Sequence, residues 1–508
     1  MKRILIFCLL IVIFSQCKDS EYQIKFLARF RPLHFNLNSS QGIEPVTLIN
    51  HRGLYHLFYM NSDESNSNKG KYIGHTTSRD LINWRSGSQS IFPYKTNCIY
   101  KGGIICDSNN ITGFGTNENP PLVALIAVTD VENISSEGGM KTLPMLAYSI
   151  DEANSWTIST DKINFPEAFL KNPQNIQIIW HQPTRKWIMS LALSNHVEFY
   201  SSPDLRFWNF DSLFGIDFFD ENIKWKRSAL FPLGDDIHWA LLIDVETADA
   251  GQSSGGTLYF VGTSDGLNFI KITSKPHWLD YGKNIYGSLV CLGTDERRIN
   301  LVWRNMIGRQ LLKNAFQETG IISIPRELSL DNIKGELAIS ISPVSEIREI
   351  YEKEIKLGPI NVSSKVEDRP VFRLRTPFEA VLKFNTNEII RWTFPTRFGV
   401  SFWNKFGEYL VFGYDTFGYY FLDKTGLKPT SEKQTVNCFI KMPFVHSDSI
   451  MILHFIVGIS SIECYTESGK LVMTDTYSSK KQLNYMSPFA ENGRLELLDG
   501  KIIKLGLR

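Results

Sequence analysis

A single acid interrupts an apolar stretch near the start of the chain. Glu44 stands between Ile43 and Pro45, just before Val46-Thr47-Leu48-Ile49. A carboxylate in that setting could be a catalytic group or the relic of one. Taken alone it reads as an ordinary acid at a strand end. Lys226 and Asn175 read alone as plain surface residues, and Trp180, Trp225 and Trp303 as core aromatics. Other chemistries leave no mark. After Cys17 come Cys98, Cys106, Cys291, Cys438 and Cys464, an odd set spread over the chain. They give no zinc pattern and no disulfide framework. A Cys98–Cys106 bridge stays open beside the reading of all five as free thiols. No metal motif or nucleotide loop occurs, so no cofactor is implied.

The elements that must position Glu44 are strands. Leu54-Tyr55-His56-Leu57-Phe58-Tyr59 follows a glycine and favours the extended state. Helical periodicity is scarce over the whole 508 residues, and short strands alternate with Gly, Asn, Asp, Ser and Pro turns. One turn recurs: SRDLINW at 78–84, SIDEANSW at 149–156, SPDLRFW at 202–208 and SDGLNF at 264–269. Each follows an apolar strand and carries an Asp and then an aromatic residue. The starts lie 71, 53 and 62 residues apart. That period suits a radial array of four-stranded blades, a β-propeller of about five over 31–340. A charged segment, 341–356, reads as a linker with room for a short helix. From 357 to 508 the alternation is more regular, as in EYLVFGYDTFGYYFLDK, and predicts a β-sandwich.

A net charge of +1 with 21% charged residues gives no reason to expect a nucleic-acid partner. The first twenty residues are MKRILIFCLLIVIFSQCKDS. A basic start, an apolar run of eleven and a polar tail make an export signal, too short to span a bilayer. FSQC followed by KDS resembles a lipoprotein cleavage site. Residues 1–17 are then the signal, Cys17 carries lipid as the only membrane attachment, and 18–30 form a linker. The anchored chain is then expected in the periplasm or at the cell surface.

Strings along nearly the whole mature chain resemble glycoside hydrolase family 32, the invertases, inulinases and levanases. They include RPLHF at 31–35, GLYHLFY, YIGHTTSRDLINW, DSNNITGFG, TRKWIMSLAL, FYSSPDLRFW, WLDYGKNIYG and SSIECYTESGKLVMTDTY. Their joint order is the specific signal. The resemblance implies an all-β chain: a five-bladed propeller followed by a C-terminal sandwich. It also implies a retaining fructosidase site, in which one carboxylate attacks the anomeric carbon and another serves as acid and base. The two lie about 5–5.5 Å apart in such enzymes.

The site strings depart from that pattern. The family's Asn-Asp-Pro-Asn-Gly falls on Ile43-Glu44-Pro45-Val46-Thr47, placing Glu44 at the nucleophile position. Arg-Asp-Pro falls on Gln174-Asn175-Ile176, so the stabilising Asp is Asn175. A slide of three would put it on Lys171-Asn172-Pro173, still an Asn. Trp-Glu-Cys-Pro falls on Trp225-Lys226-Arg227-Ser228, so the acid/base is Lys226. Two sugar contacts become Met60 and, in Tyr100-Lys101-Gly102-Gly103, Lys101. Trp225 remains a substrate-binding candidate through its place in this motif. A lysine ordinarily titrates near 10.4 and is a poor acid for a glycosidic oxygen. The extra methylene of Glu44 shifts its oxygens by roughly 1 Å, a displacement that can cost about a hundredfold. The alignment predicts a Glu44–Lys226 ion pair at the pocket centre.

Three functions fit these residues. The first is a catalytically degenerate relative that binds a fructan or a sucrose-like carbohydrate. The second is an active fructosidase with Glu44 as nucleophile and a displaced acid, Asp220 or Glu221. The third is a structural or interaction protein with no sugar site, which the apolar Met60 and Ile176 favour.

Overall fold

In the computed structural model the described residues are 43–61, 72–86, 98–134, 140–171, 174–216, 222–235, 237–249, 252–283, 285–293, 297–304, 321–333, 335–387, 389, 394–427, 438–477 and 479–506. Cys17, the signal segment, Asp220 and Glu221 lie outside them.

The described chain is almost entirely β. Between Ile43 and Pro343 its antiparallel strands form five sheets, met in chain order. Each is a meander, such as Ile43–His51, Leu54–Asn61, Tyr72–Ser78 and Trp84–Ser86 in the first. The first strands of the sheets lie against one another. Ile104 N donates to Thr47 Oγ1 at 3.2 Å, and Ile176 N to Gly102 O at 3.0 Å. Gln177 Nε2 reaches Val290 O at 3.1 Å, and Arg227 Nη2 reaches Ser288 O at 2.9 Å. Just after the fifth sheet's first strand, Ile285–Val290, the chain adds Leu292–Gly293 to the edge of the first sheet, parallel to Ile49 and Asn50.

The recurring turn joins the third and fourth strands of the first four sheets. In each, the Asp side chain accepts backbone N–H groups just ahead of it: Asp80 from Ile82 and Asn83, Asp151 from Ser155, Asp204 from Arg206 and Phe207, Asp265 from Leu267 and Asn268. These are Asx-type turns, favoured because the short carboxylate mimics a backbone acceptor. Burial pushes the Asp80 carboxyl up, but hydrogen bonds from Asn83, Ile82 and Ser78 outweigh it and hold the group below its ordinary value.

Two further sheets, from Tyr351 to Leu505, face each other across an apolar core. Phe378, Ala380, Leu382 and Phe384 alternate inward on one sheet, as do Phe398, Val400 and Phe402 on the other. Phe455 packs edge-on against Phe402 and Phe412, with ring centroids 5.5 Å away in each case. The segment expected to be a linker is ordered differently. A 3-10 turn, Ser345–Ile350, leads straight into the strand Tyr351–Leu357, which pairs with Arg494–Leu505. Its charges belong to an edge strand with its side chains in water, a pattern that blunts unwanted pairing.

The sandwich is fastened to the preceding sheets through Arg326. Its guanidinium is fully buried and bonds Asp280 Oδ2 at 2.8 Å and Glu463 Oε2 at 2.7 Å, with Thr474 also accepting from it. Asp280 comes from the segment before the fifth sheet and Glu463 from the sandwich. Asp280 Oδ1 also accepts from Thr474 N and Gly282 N, and Glu463 Oε1 from Ile324 N. Each carboxylate oxygen that burial strips of water thereby accepts at least one hydrogen bond, on both sides of the junction.

The Cys98–Cys106 bridge is excluded. The two residues end one nine-residue strand, which at about 3.3 Å per residue separates them far beyond disulfide reach. Cys106, Cys291, Cys438 and Cys464 are free.

Candidate functional site

The site forms where the first strands of the first three sheets meet. Glu44 lies on the strand Ile43–His51, Lys101 on Cys98–Cys106, and Asn175 just before Gln177–His181. Lys101 Nζ donates to Glu44 Oε1 at 2.6 Å, and Asn175 Nδ2 donates to the same oxygen at 2.9 Å. One glycine allows this approach: a Cβ on Gly103 would fall 2.5 Å from Ile176 O, so only a bare backbone there lets the second sheet close on the residues that follow Asn175. Gly102, whose φ is +154°, serves the second sheet itself, where a Cβ would fall 2.0 Å from Leu125 O on the paired strand.

Glu44 is 40% exposed and Lys101 22%, so the pair opens to solvent. Asn175 is 4% exposed. Its Oδ1 is buried without a hydrogen-bond partner among the described residues. A carboxylate, an ammonium and a free amide acceptor therefore converge at one point. Such a set exchanges hydrogen bonds readily with hydroxyl groups.

Bulges flank this chemistry. The pairing of Ile43–His51 with Leu54–Asn61 slips between Pro45 and Thr47, directly after Glu44. Pro45 has no N–H to offer a ladder, which suits a bulge. The strand Ile223–Pro232 slips between Trp225 and Arg227, leaving Lys226 as the extra residue. Bulges re-aim side chains and cluster near functional sites.

The second bulge undoes one expectation. Lys226 does not pair with Glu44. It is 53% exposed, and its Nζ lies 2.8 Å from Glu246 Oε2 on the adjacent strand. The reason is local: the extra residue turns the side chain outward while Arg227 takes the inward place. Arg227 Nε donates to Asp244 Oδ2 at 2.9 Å, and Thr257 Oγ1 donates to Asp244 Oδ1 at 2.6 Å. The ion-pair partner of Glu44 is Lys101 instead.

The other candidates are distributed as follows. Met60 stands opposite Glu44 in register but is buried in the apolar core of the first two sheets. Trp225 is no sugar platform: it is buried, and its ring packs so closely on Gly215 that a Cβ there would lie 2.3 Å away. Trp180 is partly buried and donates to Gln182, and Trp303 lies on the strand Arg298–Arg304. Asn175 is the stabiliser-position residue that contacts Glu44, and its neighbour Gln174 donates to Ala192 O at 2.7 Å. Asn172 and Pro173, of the alternative slide, lie outside the described residues.

Comparison with known proteins gives a consistent picture. Residues 34–340 match the glycosyl hydrolases family 32 N-terminal domain. The chain is 26% identical to a levanase of Bacillus subtilis over 95% of its own length and 71% of the relative's. It is 23% identical to an extracellular exo-inulinase of Meyerozyma guilliermondii, with 95% of each chain covered. Among solved structures, an exo-inulinase from Aspergillus awamori superposes with a TM-score of 0.78 at 21% identity, covering 94% of this chain and 99% of that one. The fold is thus the propeller-and-sandwich fold of those proteins.

Proposed function

The chain belongs to glycosyl hydrolase family 32, and on that premise we propose that it is a catalytically degenerate member whose altered pocket binds a carbohydrate of the fructan or sucrose class. One observation carries this reading: Glu44 Oε1, at the nucleophile position, is occupied by both Lys101 Nζ and Asn175 Nδ2. Retaining hydrolysis needs a second carboxyl about 5–5.5 Å from the nucleophile, free to protonate the leaving oxygen. The residue aligned with that group is Lys226, and it is paired with Glu246.

What remains suits binding. A carbohydrate offers hydroxyls that are both donors and acceptors. Asn175 Oδ1 is an unpartnered acceptor, and desolvating it without a partner costs about 1–3 kcal/mol, which a ligand hydroxyl would recover. Lys101 can donate further, and Glu44 faces solvent. The relatives are named for levan and inulin, which favours a fructose polymer over unrelated glycans.

In this reading 31–340 form a five-bladed propeller and 357–508 its sandwich, supported by the five sheets in chain order and by Leu292–Gly293, which joins the first sheet just after the first strand of the fifth. The protein is exported, in line with a relative named extracellular, and is anchored by lipid on Cys17. A Cys17→Ser variant tests the anchor: it loses lipid incorporation and leaves the membrane fraction, and retention there would refute the anchor.

The binding test is calorimetry of the purified mature chain against levan, inulin, sucrose and unrelated glycans. Saturable heat with a fructoside, weakened by Asn175→Ala, is expected. Silence over the whole panel would remove the sugar-binding reading. A second reading, residual hydrolysis by Glu44, is favoured by the exposure of its carboxylate, and turnover assays separate it.

A further inference from the structure

A second constellation lies away from this pocket, between the first and second sheets. His51 ends the strand Ile43–His51, and His56 lies two residues into the next strand, across the Arg52-Gly53 turn. Glu152 arrives from the second sheet, in the turn after Met140–Ser149. His51 Nδ1 is 2.9 Å and His56 Nε2 3.1 Å from the same oxygen, Glu152 Oε2. The backbone at Glu152 has φ +58°, and the matching positions of the recurring turn are alike, Leu81 at +61° and Leu205 at +66°, so the turn itself sets where the carboxylate starts.

Hydrogen bonding alone accounts for half of this arrangement. His51 Nδ1 is aligned to bond the carboxylate. His56 Nε2 is not: it is fully buried, stands 3.1 Å from Glu152 Oε2, and still has no hydrogen-bond partner among the described residues. The opposite ring nitrogen, His56 Nδ1, lies 3.0 Å from His75 Nε2. That contact fixes the ring, and with Nδ1–H donating to His75 Nε2 the lone pair of His56 is on Nε2. Support of this kind behind a ligating imidazole is the usual companion of a metal site.

We propose that His51, His56 and Glu152 form a binding site for a divalent transition ion of the zinc class, fastening the first sheet to the second. A tetrahedral ion with bonds of about 2.0–2.1 Å holds its ligand atoms about 3.3 Å apart. The two separations to Glu152 Oε2 are 2.9 and 3.1 Å, so a small opening of the cluster admits the ion. Two imidazoles and one carboxylate select zinc-like ions over calcium or magnesium, which prefer oxygen ligands. Glu152 is 37% exposed, which gives the ion an entry and leaves the fourth position to water. The sequence carries no sign of this site, because its third ligand comes 96 residues after the second (positions 56 and 152) with no short spacing motif.

The test uses untagged mature protein stripped with a chelator and titrated with Zn²⁺ alone. One ion per chain is expected, with Ca²⁺ and Mg²⁺ giving no comparable heat. Glu152→Gln, at a partly exposed turn, should keep the metal-free melting temperature and weaken Zn²⁺ by at least about tenfold. Added Zn²⁺ should raise the melting temperature of the parent and not of this variant. Absence of saturable Zn²⁺ binding would overturn the proposal. So would binding that survives undiminished in both Glu152→Gln and His51→Gln. Sugar binding at the Glu44 pocket is read separately and decides neither outcome.

Discussion

Lys101 and Glu44, 57 positions apart in the chain, meet at 2.6 Å on the first strands of adjacent sheets. The contact closes an internal ion pair over the position from which a family nucleophile would act. It changes what the pocket can do. The Glu44 carboxylate is held by an ammonium and an amide, and its charge is answered before any ligand arrives; under the proposed reading this is what keeps it from acting as a nucleophile.

The two lysines near the site should therefore behave differently. Lys101→Met removes a charge-assisted donor from the pocket and should weaken fructoside binding about tenfold or more, the value of one such hydrogen bond. Lys226→Ala should leave binding unchanged and shift stability by less than about 1 kcal/mol, because its pair with Glu246 is half-exposed. Titration calorimetry of the two variants side by side checks this. Equal losses in both would return Lys226 to the pocket.

Arg326 should be the most costly single position at the junction. Arg326→Met leaves Asp280 and Glu463 buried without their cation, a change that costs about 3–5 kcal/mol. Urea denaturation would show a lowered midpoint, and a variant as stable as the parent would contradict the network's role.

The turn carboxylates set part of the acid limb. The Asp80 carboxyl is held below its ordinary value of 3.8, so its stabilising contribution is present above that value. It is lost as pH falls through the lower folded value, because the unfolded chain takes up the proton first. Asp80→Ala should cost about 1–2 kcal/mol at neutral pH and flatten the loss of stability below pH 4. Thermal melts of parent and variant from pH 7 to 3 would reveal it. A variant that loses stability on acidification as steeply as the parent would count against the turn.

These cases show why some features are readable in the chain and others are not. The Asp turns are legible because each acts on backbone groups within two to four residues, so the string itself contains the interaction. Glu44 and Asn175 are legible as pocket residues because each lies a short ungapped offset before a string that resembles the family, GLYHLFY for Glu44 and WHQPTRKWIM for Asn175. The fate of Lys226 is not, since a single bulge between Trp225 and Arg227 turns it outward and no residue type there announces a bulge. Lys101 is recognisable as a changed pocket residue, but its partner is not, because the pairing depends on the first strands of two sheets lying side by side, as Ile104 N and Thr47 Oγ1 do. Arg326 and its acids are spread from position 280 to 474 and leave no local trace.

The most direct measurement is fructose release by the purified mature protein from sucrose, inulin and levan, run beside Glu44→Gln. Degeneracy predicts release no greater than that of the Glu44→Gln variant on every substrate, while a fructoside still binds. Turnover in the parent that disappears in Glu44→Gln would contradict it and restore Glu44 as a working nucleophile.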